Sequence, residues 1–212
     1  MIPENLINIK TLKQFSYNSG FKILDYGKLN IWGIRTPRGE FNDLFIYFWK
    51  NIDRWDFIIE KGTTEPGQGY LLNKMLNKNG TAILCHNHYY ADCWEVRKHN
   101  GKYDALCQIY DYQFKVWRDA NQNGVVDYGG NIYTDAQGIN NHSTKLGYVA
   151  NYIGNFSAGC QVVWNYANFT NKIMKVVKEK KQLHNNRYSY LLVTEDNFRR
   201  LTGNLEAKEK II

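Results

Sequence analysis

Only three prolines interrupt the 212 residues, and no Pro-, Ser- or Gly-rich stretch marks a linker, a repeat or a low-complexity segment. No window reaches the ~18 consecutive apolar residues that a membrane span needs. The opening residues lack the basic stretch followed by an apolar run of a secretory signal, which predicts a chain made as a soluble cytoplasmic protein. Cysteine is scarce too. Cys85, Cys93, Cys107 and Cys160 stand 8, 14 and 53 residues apart, neither a dense disulfide framework nor a paired zinc ribbon, so a reduced state is expected. Acidic residues are outnumbered, 20 against 27 Lys and Arg, and the net charge of +7 suits a polyanionic partner: nucleic acid, an anionic membrane surface, or a cell wall bearing carboxylates and phosphates. The densest basic group, Lys172, Lys175, Lys178, Lys180 and Lys181, reads as the solvated face of one helix. No motif reads bases, so no nucleic-acid partner is expected.

What is abundant points to strands. With 43% apolar and 15% aromatic residues the chain can bury a sizeable core, and 16 Tyr, 10 Phe and 6 Trp favour half-buried pleated surfaces. The expectation is a mainly β (α+β) protein with one domain over residues 29–212, preceded by a helical extension over residues 1–28 that packs on it. The extension carries a predicted helix from Pro3 to Tyr17, with Leu6, Ile9, Leu12 and Phe15 at three-residue spacing, ended by Asn18-Ser19-Gly20. Strands are predicted at Phe21–Tyr26, Leu29–Arg35, Leu44–Trp49 and Trp55–Lys61. Hairpins or short meanders are predicted over Leu72–Leu84 and Trp94–Ile109, turned at Asn79-Gly80 and Asn100-Gly101. A helix at Tyr166–Leu183, a strand at Tyr188–Thr194 and a short helix at Glu195–Leu201 complete the reading.

The chemistry concentrates in two segments, Gly138-Ile139-Asn140-Asn141-His142-Ser143 and Ser157-Ala158-Gly159-Cys160-Gln161. A cysteine reached through small residues can sit on a tight turn whose amides meet a substrate oxyanion. A thiol of ordinary pKa, about 8.5, is mostly protonated at neutral pH and needs a base. His142 is the nearest upstream histidine, and a carbonyl or hydroxyl near Ser143 would fix its tautomer. By themselves a Cys and a His eighteen positions apart carry little information, since a buried cysteine after Gly is ordinarily a small core residue.

His142-Ser143, with Ser157-x-Gly159-Cys160 beginning fifteen positions after the histidine, resembles the signature of the L,D-transpeptidase catalytic domain. The resemblance covers residues 138–163 directly and the chain from Leu29 onward more loosely. It implies a β-sandwich with a helix after the catalytic cysteine, a cysteine thioacyl intermediate, and peptidoglycan stem peptides as acyl donors. By position it makes Cys160 the nucleophile, His142 the base, Ser143 a supporting residue, and Ser157 and Gly159 the turn that shapes the oxyanion site. It requires no cofactor. Two positions depart: Ala158 stands where the family has histidine, and Val162 where it has arginine, so the turn is held differently or the substrate's acidic group is read elsewhere.

The same stretch is similar to a group of phage proteins with a Gly-Ile-Asn-x-His segment and a Ser-Ala-Gly-Cys-Gln turn. That implies a virion or lysis role, in which water resolves the thioacyl enzyme and the product is hydrolysis. A non-catalytic virion or tail module that binds the wall, in contact with other virion proteins, is the first rival. A toxin-type effector using the same cysteine is the second.

Other candidates are weaker in pattern. Asp119, Asn121, Asn123 and Asp127, with Gly124 between them, follow the order of a calcium loop, but its twelfth position is Gly130, and a solvated Asn-Gly turn is the plainer reading. Cys85, His86, His88 and Cys93 offer zinc-ligand chemistry without a ligand spacing. Arg35, Arg38 and the Thr63–Gly67 loop read first as surface loops, with the alternative that they border a cleft and hold substrate carboxylates. His99 and His184 read as turn decorations, and Trp55, Trp94, Trp117 and Trp164 as core.

Overall fold

Large side chains alternate between two buried faces along the second strand, and that alternation sets the architecture. In Asp43–Lys50, Phe45 and Tyr47 join one core with Ile31, Trp94 and Tyr190, while Leu44, Ile46 and Phe48 join another with Trp32 and Ile34. Such a strand needs cover on both sides. The computed structural model describes residues 2–37, 41–145 and 147–203, and supplies that cover as a closed barrel with helices outside.

The strands are β1 (Asn30–Arg35), β2 (Asp43–Lys50), β3 (Trp55–Thr63), β4 (Thr81–Leu84), β5 (His88–His99), β6 (Tyr103–Gln108), β7 (Phe114–Asp119), β8 (Tyr133–Ala136), β9 (Asn141–Ser143), β10 (Gln161–Val163) and β11 (Tyr188–Thr194). Eight of them close in the order β1-β11-β5-β6-β9-β10-β3-β2, and β4-β7-β8 form a separate three-stranded sheet. Two pairings are parallel, β1 with β11 and β9 with β10. The expectation of a mainly β, α+β protein holds, with the strands arranged as a barrel and a small sheet.

Hydrogen bonds across the barrel identify its interior. Tyr47 Oη on β2 donates to Asn141 Oδ1 on β9 at 2.8 Å, and Tyr190 Oη on β11 donates to Gln161 Oε1 on β10 at 2.9 Å. Gly33 permits the second, since a Cβ there would lie 1.9 Å from Tyr190 Oη. With Asn141 and Gln161 facing in, strand alternation turns His142 and Val162 outward.

The N-terminal helix runs Ile9–Ser19, later than the periodicity predicts, because Asn8 caps it: its Oδ1 accepts from the amides of Lys10 and Thr11, and Thr11 Oγ1 accepts from the Asn8 amide. Gly20 ends it at φ +76°. Phe15 stacks on Phe198 of the Glu195–Thr202 helix and meets Trp32 edge-on, so this segment shares the outer core.

Two local readings are corrected. Phe21–Tyr26 is not a strand: Asn30 takes both the amide and the carbonyl of Leu24 with its side chain, and Tyr26 and Gly27 turn at positive φ. Leu72–Leu84 is no hairpin. A short helix, Gln68–Leu72, precedes β4, which pairs with the distant β7, and Gly80 lies so close to Asp119 that a Cβ would meet its carbonyl oxygen at 2.4 Å. The β5–β6 hairpin turns at Asn100-Gly101, both at positive φ, as the sequence predicts. After Cys160 the predicted helix forms in three pieces, Tyr166–Asn168, a π-helical Phe169–Ile173 and Met174–Glu179, with Phe169, Ile173 and Val177 buried and Lys172, Lys175 and Lys178 exposed. No helix among the described residues is long and apolar enough to cross a membrane.

Candidate active site between His142 and Cys160

The short parallel pair β9–β10 brings the two segments together. Its register sets Asn141 against Gln161 and His142 against Val162, and the Gln161 amide donates to the Asn140 carbonyl at 2.8 Å. Cys160, one residue before β10, therefore lies on the outward face with His142. Both line a cleft of about 490 Å³ between that face and the three-stranded sheet, with Gly138, Asn140, Ala158, Phe156, Arg118 and Asp135 among its walls.

The histidine's tautomer follows from its partners. His142 Nδ1 lies 2.7 Å from the Ser143 carbonyl oxygen, which can only accept, so Nδ1 carries the proton and Nε2 is the basic nitrogen of the neutral ring. Tyr103 Oη donates to the same carbonyl at 2.7 Å, fixing it from the other side. Ser143 acts through this main-chain oxygen. Its hydroxyl instead donates to the Val163 carbonyl and straps β9 to β10.

Ser157, Gly159 and Cys160 form one turn. Ser157 Oγ donates to the Cys160 carbonyl at 2.8 Å and accepts from the Gly159 amide at 3.2 Å. Gly159 has φ +120°, and a Cβ there would stand 2.7 Å from the Ala82 carbonyl oxygen. Gln161 holds the turn from inside the barrel, its Nε2 reaching the carbonyls of Gly159 and Thr64 at 3.3 Å each. This is the support that Val162, an apolar side chain, does not give.

Arg35 stands behind that support and not in the cleft. It is buried, and donates to Thr64 Oγ1, the Thr64 carbonyl and the Leu84 carbonyl, while Asp43 receives the Thr64 amide and hydroxyl. The surface-loop reading of Arg35 and its alternative, a contact with substrate carboxylates, both give way to an internal role; Arg38 lies outside the described residues. Glu65, buried beside this pair, has its carboxyl pushed up to about 7 by burial and then by Asp43, and its Oε1 has no hydrogen-bond partner.

Both side chains rest uncharged. Burial pushes the Cys160 thiol up to about 11, and Sγ donates to the Gly138 carbonyl at 3.1 Å rather than to His142. Burial, and next the neighbouring His99, lower the His142 imidazole to about 3.

His99 was assigned to a turn by sequence, and the structure stacks it on His142. Tyr103 and the Arg118–Asp135 ion pair, bonded at 2.6 Å, are further site residues that no local motif marks, and Gln161, last residue of the Ser-Ala-Gly-Cys-Gln turn, takes its role only from the fold. A second hollow of about 660 Å³, lined by Lys102, Tyr103, Lys145 and Tyr166, adjoins the first across His142.

The remaining candidates do not converge. Asp119 accepts the amides of Asn121 and Asp127, Asn121 Oδ1 that of Asn123, and Asn123 Oδ1 that of Val125, so the loop's oxygens serve its own backbone; the Asn121 side chain also bonds Asp127. His86 packs on Trp117 and Tyr128 whereas His88 packs on Tyr90, and Cys93 is wholly buried. Among the described residues no three His, Cys, Asp or Glu side chains are grouped to hold a metal ion. Comparison with family models, curated proteins and solved structures finds no match.

Proposed function

We infer that this protein is a peptidoglycan-acting cysteine acyl-transfer enzyme of the L,D-transpeptidase type, with a hydrolytic outcome and delivery to the cell wall by a phage or an injection apparatus. The observation that supports the reading is the Nδ1–H bond to the Ser143 carbonyl, which makes Nε2 the lone-pair nitrogen of an imidazole that lines the same cleft as Cys160. In the reaction Nε2 takes the thiol proton, the sulfur attacks a stem-peptide carbonyl, and the imidazolium returns the proton to the leaving amine. The Gly159 amide is engaged by Ser157, so the oxyanion falls to the Cys160 amide. Water then resolves the thioester.

The test is digestion of purified sacculi. Released peptide fragments or changed cross-links by mass spectrometry are expected from the wild type and not from Cys160→Ala; unchanged sacculi with both contradict the reading. One observation favours the rival, a wall-binding virion or tail module. The thiol is held protonated on Gly138 and both reactive groups rest neutral. Equal wall binding by wild type and Cys160→Ala, without turnover by either, selects that rival.

A further inference from the structure

The β5–β6 hairpin delivers a second imidazole to the site. His99 lies face to face with His142, ring centroids 4.1 Å apart and planes 14° from parallel. It lines both the cleft that holds Cys160 and the hollow beyond His142. Like charges at that distance repel, so one ring must stay neutral for the other to accept a proton.

The surrounding hydrogen bonds decide which. Asn140 Oδ1 accepts the Gln108 amide at 2.8 Å, so the group it turns toward His99 Nδ1, at 3.4 Å, is its NH₂. Nδ1 of His99 is therefore the lone-pair nitrogen and the ring's single proton sits on Nε2, a placement that requires the Asn100 side-chain amide, 3.2 Å away, to turn its oxygen rather than its NH₂ toward that nitrogen. Burial and Lys102 further oppose a charge on this ring. Around it stand Arg97 and Lys98 of β5, paired with Glu95 and Asp104, Tyr103 and Cys107 of β6, and, across the cleft, Lys145 and Cys160. Among the described residues lining these hollows, the one carboxylate is Asp135, and it is paired with Arg118.

We propose that His99 is a positioning residue for acyl transfer, a neutral ring that holds the His142 imidazole flat, keeps its Nδ1 on the Ser143 carbonyl, and presents a π face to the imidazolium formed there. This rests on the reading of Cys160 as nucleophile. In acylation the Sγ proton moves to His142 Nε2, a sulfur electron pair forms the S–C bond, and the carbonyl π pair moves to oxygen. On collapse the C–N bond breaks and the departing nitrogen takes the proton from Nε2. His142 is positive only between those two transfers, so a stacked neutral ring favours the charged stage over the resting one.

The test compares the full-length wild type, His99→Phe and His99→Leu by the rate of Cys160 acylation with a carbapenem-class β-lactam, between about pH 5 and about pH 9. At about pH 8 the Phe variant, which keeps a ring face, is expected within about threefold of wild type, and the Leu variant about tenfold or more slower, with melting temperatures matched. The acid limb moves to lower pH in the Phe variant, because only His142 remains to protonate. A Leu variant with wild-type rate and acid limb overturns the proposal, as does a Phe variant as slow as Leu. Nitrogen-15 NMR of the wild type gives an independent check: a proton on His142 Nδ1 and none on His99 Nδ1 is expected, and a cationic His99 at neutral pH overturns it. Absence of any Cys160 adduct in the wild type overturns the nucleophile reading too, whereas adduct formation indifferent to His99 overturns this inference alone.

Discussion

At position 160 the sulfur donates to the Gly138 carbonyl, which keeps its proton, and the proposed reaction requires the His142 imidazole of the same cleft to take it. With the thiol pushed up to about 11 and the imidazole down to about 3, both are neutral across the working range. Iodoacetamide alkylation of Cys160 is therefore expected to rise continuously with pH toward about 11, as thiolate forms. A plateau already reached near neutrality would mean a preformed thiolate–imidazolium pair. Glu65 offers a second residue-scale test. Its carboxyl titrates near 7 in the folded protein, above the ordinary 4.5, so the folded state holds an extra proton between those values. Stability is then fully present below about pH 4.5 and falls as pH rises through about 7. Glu65→Gln removes the charge that has no partner for Oε1 and is expected to flatten that fall. Urea unfolding at about pH 5 and about pH 8 checks it; equal pH dependence in variant and wild type contradicts it.

Among the elements, local chemistry was legible and distant pairing was not. Asn100-Gly101 marks the β5–β6 turn because both residues tolerate positive φ, and the strands on either side alternate as a hairpin requires. The calcium-like order at residues 119–127 was legible only as a pattern, since Asx turns place the same side chains on backbone amides. Phe21–Tyr26 looked like a strand because periodicity does not register that one side chain, Asn30, occupies its backbone. The N-terminal helix makes a stability prediction. Phe15 is fully buried between Phe198 and Trp32, so Phe15→Ala is expected to cost about 3–5 kcal/mol. Since this core lies on the outer face of β1 and β11, Cys160 acylation per folded molecule should be unchanged. A loss under about 1 kcal/mol in thermal or urea unfolding would mean that the helix does not pack there.

For the whole molecule, the barrel closes by joining strands far apart in the chain, β1 with β11, and by the three-residue pair β9–β10. Parallel pairings leave no turn signature, so barrel closure could not be read from sequence, although mainly β character could. The site divides the same way. His142, Ser143, Ser157, Gly159 and Cys160 stood in two short segments and were found together. His99 and Tyr103 arrive on a hairpin some forty residues upstream, and Gln161 reaches the turn from the barrel interior, so only three-dimensional closure assigns them. The most direct measurement is acylation by a carbapenem-class β-lactam, mapped by mass spectrometry in wild type and His142→Ala. An adduct on Cys160 in preference to Cys85, Cys93 and Cys107, formed about a hundredfold or more slowly without the imidazole, is the result this account predicts. An adduct elsewhere, or an equal rate in the two proteins, would contradict it.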